Sequence, residues 1–167
     1  VKLGLLSDTH GQLVAATQAV ERLKQLGADF YLHAGDVGDF GHDGTGVLHL
    51  FEPGRAAFVF GNNDFDRPTL IEHANALQIQ CLGDAGEIEL AGIRIGLTHG
   101  DRRSRMDALI RSGVAYLITG HTHASHDLTL PGSRWINPGA LHRARPKQFA
   151  LLDLTSGELQ SFALAGM

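Results

Sequence analysis

Four times in this chain a short apolar, strand-like run breaks off into a segment rich in Asp, Asn or His. LGLLS runs into Asp8-Thr9-His10, FYLHA into Gly35-Asp36, AAFVF into Gly61-Asn62-Asn63-Asp64, and IRIGL into Thr98-His99-Gly100-Asp101. A fifth segment, Gly120-His121-Thr122-His123, follows Tyr116-Leu117-Ile118. Strand ends in an α/β sheet gather along one edge, where ligands and reacting groups sit. The pattern therefore predicts that side chains far apart in sequence meet at one place.

Spacing sharpens this expectation. In extended chain, residues i and i+2 point the same way, so Asp8 with His10 and His121 with His123 each offer two donors to one side. Gly11, Gly35, Gly61, Gly100 and Gly120 flank the donors and suit tight turns, where a Cβ would obstruct a close approach. The candidate ligands are Asp8, His10, Asp36, Asn62, His99, His121 and His123, all oxygen or nitrogen donors. With no thiolate among them, the set suits Mn, Fe or Zn. It exceeds the needs of one four-coordinate ion and suits two divalent metal ions sharing a carboxylate, roughly 3.5–4 Å apart.

With these motifs in order from Asp8 to His123, the chain resembles the calcineurin-like metallophosphoesterase superfamily. Within it, the likeness is to the small bacterial and archaeal phosphodiesterases related to the retromer subunit Vps29. Asn137-Pro138-Gly139 looks like a further short signature returning to the site. The resemblance implies an α/β fold of two stacked mixed β-sheets flanked by helices. It implies that Asp8, His10, Asp36 and His123 hold one metal and Asp36, Asn62, His99 and His121 the other, with Asp36 as bridge. It also implies a small phosphoester substrate, most simply a diester, hydrolysed by direct in-line attack of an activated hydroxide. The other reading is a Vps29-like interaction scaffold with a weak or inactive site.

One position departs from the pattern. Many superfamily members carry His after the ligand Asn, as general acid or transition-state stabiliser, and this chain has Asn63. An amide donates a hydrogen bond but delivers no proton, so expulsion of a poor leaving group loses a contribution typically worth 10²–10⁴-fold. Asp64 is either a substitute acid or a turn cap, and Asp101 either orients His99 or binds water. The segments Gly35-Asp36-Val37-Gly38-Asp39-Phe40-Gly41 and Gly61-Asn62-Asn63-Asp64 differ from the protein phosphatase branch, and Mre11-like nucleases need added domains.

With 167 residues, 43% of them hydrophobic, the chain is expected to form one domain over residues 1–167. A net charge of −4 gives no overall basic field for nucleic acid. Two local clusters, Arg102, Arg103 and Arg105, then Arg143, Arg145 and Lys147, are either solvated faces or anion-steering groups. Cys81, alone, fits a reducing compartment, and no apolar run approaches a membrane span. A cytoplasmic location is expected. His33, His42, His49, His73 and His126 read as surface or structural residues, while His142 remains open between structure and substrate contact.

The first half alternates strand and helix, with strands near Leu3–Ser7, Asp29–His33 and Ala57–Phe60 and helices over Leu13–Leu26, Val47–Phe51 and Pro68–Leu77. The four glycines of residues 38–46 suggest a mobile loop beside the site. The second half reads as three hairpins, with one helix over Arg105–Arg111. Crossovers followed by hairpins predict mixed rather than parallel sheets.

Overall fold

The computed structural model describes residues 1–165. Its first half runs β1 (Lys2–Leu6), α1 (Leu13–Gln25), β2 (Phe30–His33), α2 (Thr45–Leu48), β3 (Ala56–Phe58), α3 (Arg67–Ala76) and β4 (Gln80–Cys81). The second half runs β5 (Ala85–Leu90), β6 (Ile93–Thr98), α4 (Arg103–Ser112), β7 (Tyr116–Ile118), β8 (His126–Leu130), β9 (Ser133–Asn137), β10 (Gln148–Asp153) and β11 (Leu159–Ala163). These strands form a six-stranded sheet in the order β11-β10-β1-β2-β3-β4 and a five-stranded sheet in the order β5-β6-β7-β9-β8. Both sheets are mixed. In the first, β1 to β4 are parallel and β10 joins β1 antiparallel. In the second, β6, β7 and β9 are parallel and β5 and β8 close the edges antiparallel.

Period-two alternation divides the strand residues between two faces. Leu3, Leu5, Leu32, Ala57 and Val59 pack with Ile95, Leu97, Ile118 and Ile136 between the sheets. Leu6, Tyr31 and Phe58 point the other way, under the Ala16, Ala19, Val20 and Leu23 stripe of α1 and under Leu70 and Ala74 of α3. On the far side, Met106 and Leu109 of α4 cover Val114 and Leu117. The result is a helix, sheet, sheet, helix layering that leaves the C-terminal ends of β1, β2, β3, β6 and β7 on a shared edge.

Local departures have physical causes. The cap of α3 is Asp66, whose carboxylate accepts from the Thr69 backbone N–H at 3.2 Å, so the Asn62-Asn63-Asp64 run is free for other work. Strand β4 is too short to show a period, and only its register against Ala57 and Phe58 reveals it. The glycine-rich loop is stitched internally by a bridge between Asp39 and His42 and externally by the Gly38 N–H donating to Asp64 at 2.8 Å. Helix α2 begins two residues before the expected start, after Gly44, whose φ of 80° makes the turn.

Candidate metal centre

The five donor segments lie where the strands end, and their backbones are bonded to one another. Asp8 N–H donates to Gly35 O at 3.0 Å, His10 N–H to Asp36 O at 2.9 Å, and Gly120 N–H to His99 O at 2.9 Å. Asp8, His10, Asp36, His121 and His123 all take positive φ, between 47° and 70°. They make up five of the eight non-glycine residues in that strained region among the described residues, and such strain concentrates at functional sites. The expected i, i+2 alignment of extended chain is thus corrected: both pairs converge through left-handed turns. Gly61 and Gly120 are obligatory for this packing, because a Cβ at Gly61 would overlap Asp36 Oδ1 and one at Gly120 would overlap Ser7 Oγ.

Asp8 Oδ1 lies 3.2 Å from His123 Nε2 and 3.9 Å from both His10 Nε2 and His99 Nε2. Asp36 Oδ2 lies 3.4 Å from His10 Nε2 and 3.3 Å from His99 Nε2, between the two expected donor groups. Donors at ~2.1 Å from one ion in tetrahedral array stand about 3.4 Å apart, so these separations fit ligation. Asp8 Oδ1, His10 Nε2 and His99 Nε2 are buried without a hydrogen-bond partner. Leaving such atoms unpaired costs about 1–3 kcal/mol each, more when charged, and a cation removes that cost. The remaining two candidates stand at the open side. His121 is exposed with its ring 5.0 Å from that of His99, and Asn62 is exposed beside Gly61.

Each buried donor has its other polar atom held. Ser7 Oγ and, at 3.0 Å, the His121 N–H donate to Asp8 Oδ2, leaving Oδ1 free. His99 Nδ1–H donates to Ala34 O at 2.8 Å and His10 Nδ1–H to Asp39 Oδ2 at 3.3 Å, presenting both Nε2 atoms inward. Burial raises the pKa of Asp8, but the close approach of His10 and His123 and the charge of His99 outweigh it and hold the group well below the usual carboxylate range. Burial lowers the pKa of His99, yet Asp36 and Asp8 prevail and raise it to about 9. Paired carboxylates thus attract positive charge strongly enough to overcome desolvation, and protons and metal ions compete for it. The sequence reading missed Ser7 and Asp39, since one precedes a motif as an ordinary strand residue and the other sits in the glycine-rich loop.

Asn63 is engaged with the candidate ligand Asp36. Its backbone N–H donates to Asp36 Oδ1 at 2.8 Å and its Nδ2 to Asp36 Oδ2 at 2.9 Å. Asp64 is a buried cap, accepting from the Gly61 and Gly38 N–H groups at 2.7 and 2.8 Å, so it ties the two loops together and has no free oxygen for proton delivery. Asp101 pairs with Arg105 at 3.7 Å, and His99 takes its orientation from Ala34 O instead. Arg103 faces Asp107 and Arg105 also faces Asp84, so two members of the first arginine cluster are engaged in surface pairs. His33 is a buried strut: its Nε2 bonds Thr9 Oγ1 at 2.9 Å, and burial pushes its pKa down to about 4. His142 sits against the site, its ring 4.8 Å from that of His10. Asn137 Nδ2 donates to Gly120 O at 2.8 Å, bracing the His121 turn from behind.

Comparison with known proteins gives the family and the fold. Residues 1–157 match the calcineurin-like phosphoesterase superfamily domain, and the chain belongs to that family. It is 30% identical to a phosphodiesterase of Methanocaldococcus jannaschii over 144 residues, covering 83% of each chain. It is 29% identical to a probable metallophosphoesterase of Mycoplasma pneumoniae, covering 95% of this chain and 92% of that one. In three dimensions it superposes on the structure of an archaeal phosphodiesterase with a TM-score of 0.87 at 24% identity, covering 98% of this chain and 100% of the other. Vps29 of Entamoeba histolytica, in complex with Zn²⁺, shares the fold at a TM-score of 0.63 and 20% identity, with 98% of each chain covered.

Proposed function

We propose that this chain is a phosphodiesterase working with two divalent metal ions, Mn²⁺ first and Fe or Zn as substitutes. Asp8, His10, Asp36, Asn62, His99, His121 and His123 would hold them, with Asp36 shared. The observation that supports this best is the convergence of Asp8 Oδ1, His10 Nε2 and His99 Nε2, buried and unpartnered, on the Asp36 carboxylate. When bound, such a pair of ions offsets phosphoryl charge and makes hydroxide available near neutral pH. The chain's own residues keep the donors in place: Asn63 aligns both oxygens of Asp36, Ser7 fixes Asp8, and Ala34 O and Asp39 hold protons on the outer nitrogens of His99 and His10. Attack on phosphorus is direct and in line. Neither nucleophile alternative is free: the Ser7 hydroxyl is bonded to Asp8, and burial raises the pKa of the Cys81 thiol.

The substrate is a small phosphoester handled by one domain, in the cytoplasm. Among the described residues no helix is long and apolar enough to cross a membrane. A scaffold reading draws on the likeness to Vps29 and on Phe40 and Phe65, 91% and 63% exposed, whose rings meet edge to face 6.4 Å apart. One assay separates the two. Hydrolysis of bis(p-nitrophenyl) phosphate should cease on chelation and return with Mn²⁺, with two ions per chain by anomalous scattering. A single ion at saturation removes the dinuclear part, and no turnover at full occupancy leaves the scaffold.

A further inference from the structure

Beside the candidate metal centre runs a groove of about 950 Å³ lined by none of the seven candidate metal ligands. One wall is the segment after β9, carrying His142, Arg143, Arg145 and Lys147. The other is the start of α1, where Leu13 and Val14 are 48% and 63% exposed, an apolar surface open to solvent. At its inner end are Gly11, next in sequence to His10, and His142, whose ring lies against that of His10. Whatever occupies the groove is therefore continuous with the metal centre.

The charges in the groove are free. Arg55, Arg67, Arg94, Arg103, Arg105 and Arg134 each face a carboxylate, whereas Arg143, Arg145 and Lys147 face none among the described residues. Helix α1 adds to the same sign: it has no acidic residue in its first turn and no side-chain cap at Gln12, so its positive end is not offset. In a chain of net charge −4, this local excess marks a preference for anions. A lone phosphate would fill only a small part of the groove, and volumes near this one hold whole small molecules.

We propose that the groove binds the non-leaving arm of the diester, and that this arm carries a second phosphate on a partly apolar body. The inference rests on the phosphodiesterase reading. In it the second phosphate faces Arg143, Arg145 and Lys147 while the body lies on Leu13 and Val14. The substrate class is then a diester whose retained arm bears a second phosphate, of which a nucleotide is a convenient representative, rather than a simple dialkyl or diaryl ester.

Two matched substrates test this: thymidine 5′-(p-nitrophenyl phosphate) with a free 3′-hydroxyl, and the same compound bearing a 3′-phosphate. The 3′-phosphate should lower KM about tenfold at low salt, and Arg145→Gln with Lys147→Gln should shrink that preference to about twofold. Arg111→Gln, on α4 behind the other sheet, removes a charge elsewhere and should keep the full preference. Should the double variant not fold, Lys147→Gln alone is read in the same way. An equal preference in wild type and variant, or no preference in wild type, overturns the proposal. So does a neutral aryl arm that lowers KM as much as the phosphate does.

A second measurement is independent of turnover. With chelator present, thymidine 3′,5′-bisphosphate should bind the wild type and bind the double variant about tenfold more weakly. Equal affinity overturns the groove even if bis(p-nitrophenyl) phosphate is hydrolysed. Loss of that hydrolysis in wild type with Mn²⁺, alongside selective bisphosphate binding, overturns the phosphodiesterase reading and leaves the anion groove standing.

Discussion

The donors at the two ends of the array are supported differently. Asp8, Asp36 and His99 are at most 2% exposed and His10 is 7% exposed, and each has its second polar atom bonded to Ser7, Asn63, Ala34 or Asp39. Asn62 and His121 are exposed, and no side-chain hydrogen bond holds either among the described residues. A held donor loses little freedom when an ion arrives, while a free side chain gives up roughly 0.5–1.5 kcal/mol of rotamer entropy. Preorganisation by the fold is therefore concentrated at the buried end, and on the proposed two-metal reading the open end is where an ion would exchange and substrate would enter. Metal titration should accordingly show two steps, the tighter one insensitive to His121→Ala.

The largest expected effect tests what joins the ends. Asp36→Asn removes the charge between His10 and His99, whereas Asn62→Asp keeps an oxygen donor and adds charge. Removing one member of a buried charged set costs about 3–5 kcal/mol, or about 10²–10³-fold and more in metal affinity and turnover. Asn62→Asp should stay within about tenfold of wild type. Equal occupancy and turnover in Asp36→Asn and wild type would remove Asp36 as the bridge and with it the coupling of the two ends.

An intermediate effect addresses support rather than ligation. Asp39→Asn leaves every ligand in place but weakens the hold on His10 Nδ1, and such outer partners are typically worth about 10–100-fold. The loss should fall on the tighter metal step, and Asp39→Glu should recover part of it. A loss confined to the weaker step, or none, would show that the buried end does not depend on this support.

Sequence made the buried end's donors legible because each stands just past a strand, and parallel strands bring their C-terminal ends to one edge. Period and turn chemistry reached the order of crossovers and hairpins, while the two stacked sheets came from the family resemblance. What it could not reach are contacts between loops. Asp64 capping Gly38 and Gly61, Asp39 on His10 and Asn63 on Asp36 join residues of three separate loops, and no period or motif spacing records such a meeting. Left-handed backbone at Asp8 and His123 was equally invisible, since neither residue type demands it.

The smallest expected effect, and the most discriminating, concerns Asn63, which belongs to the open loop yet bonds the buried carboxylate. Asn63→Ala removes the Nδ2 bond to Asp36 Oδ2 but keeps the backbone bond to Oδ1, so a loss of about tenfold is expected for any leaving group, the worth of one hydrogen bond to a charged group. Asn63→His loses the same bond and introduces a group able to deliver a proton. The wild type, with an amide here, should show a steep dependence of rate on leaving-group pKa, fast for aryl and slow for alkyl esters. In Asn63→His that dependence should flatten: aryl esters pay the same tenfold loss as the Ala variant, and alkyl esters recover it or more. The measurement is kcat/KM across esters of rising leaving-group pKa in Mn²⁺, for wild type and both variants, with chemistry rate-limiting. Parallel plots for His and Ala would mean that position 63 acts only through Asp36, so that the open loop serves the buried end and gives nothing to the departing oxygen.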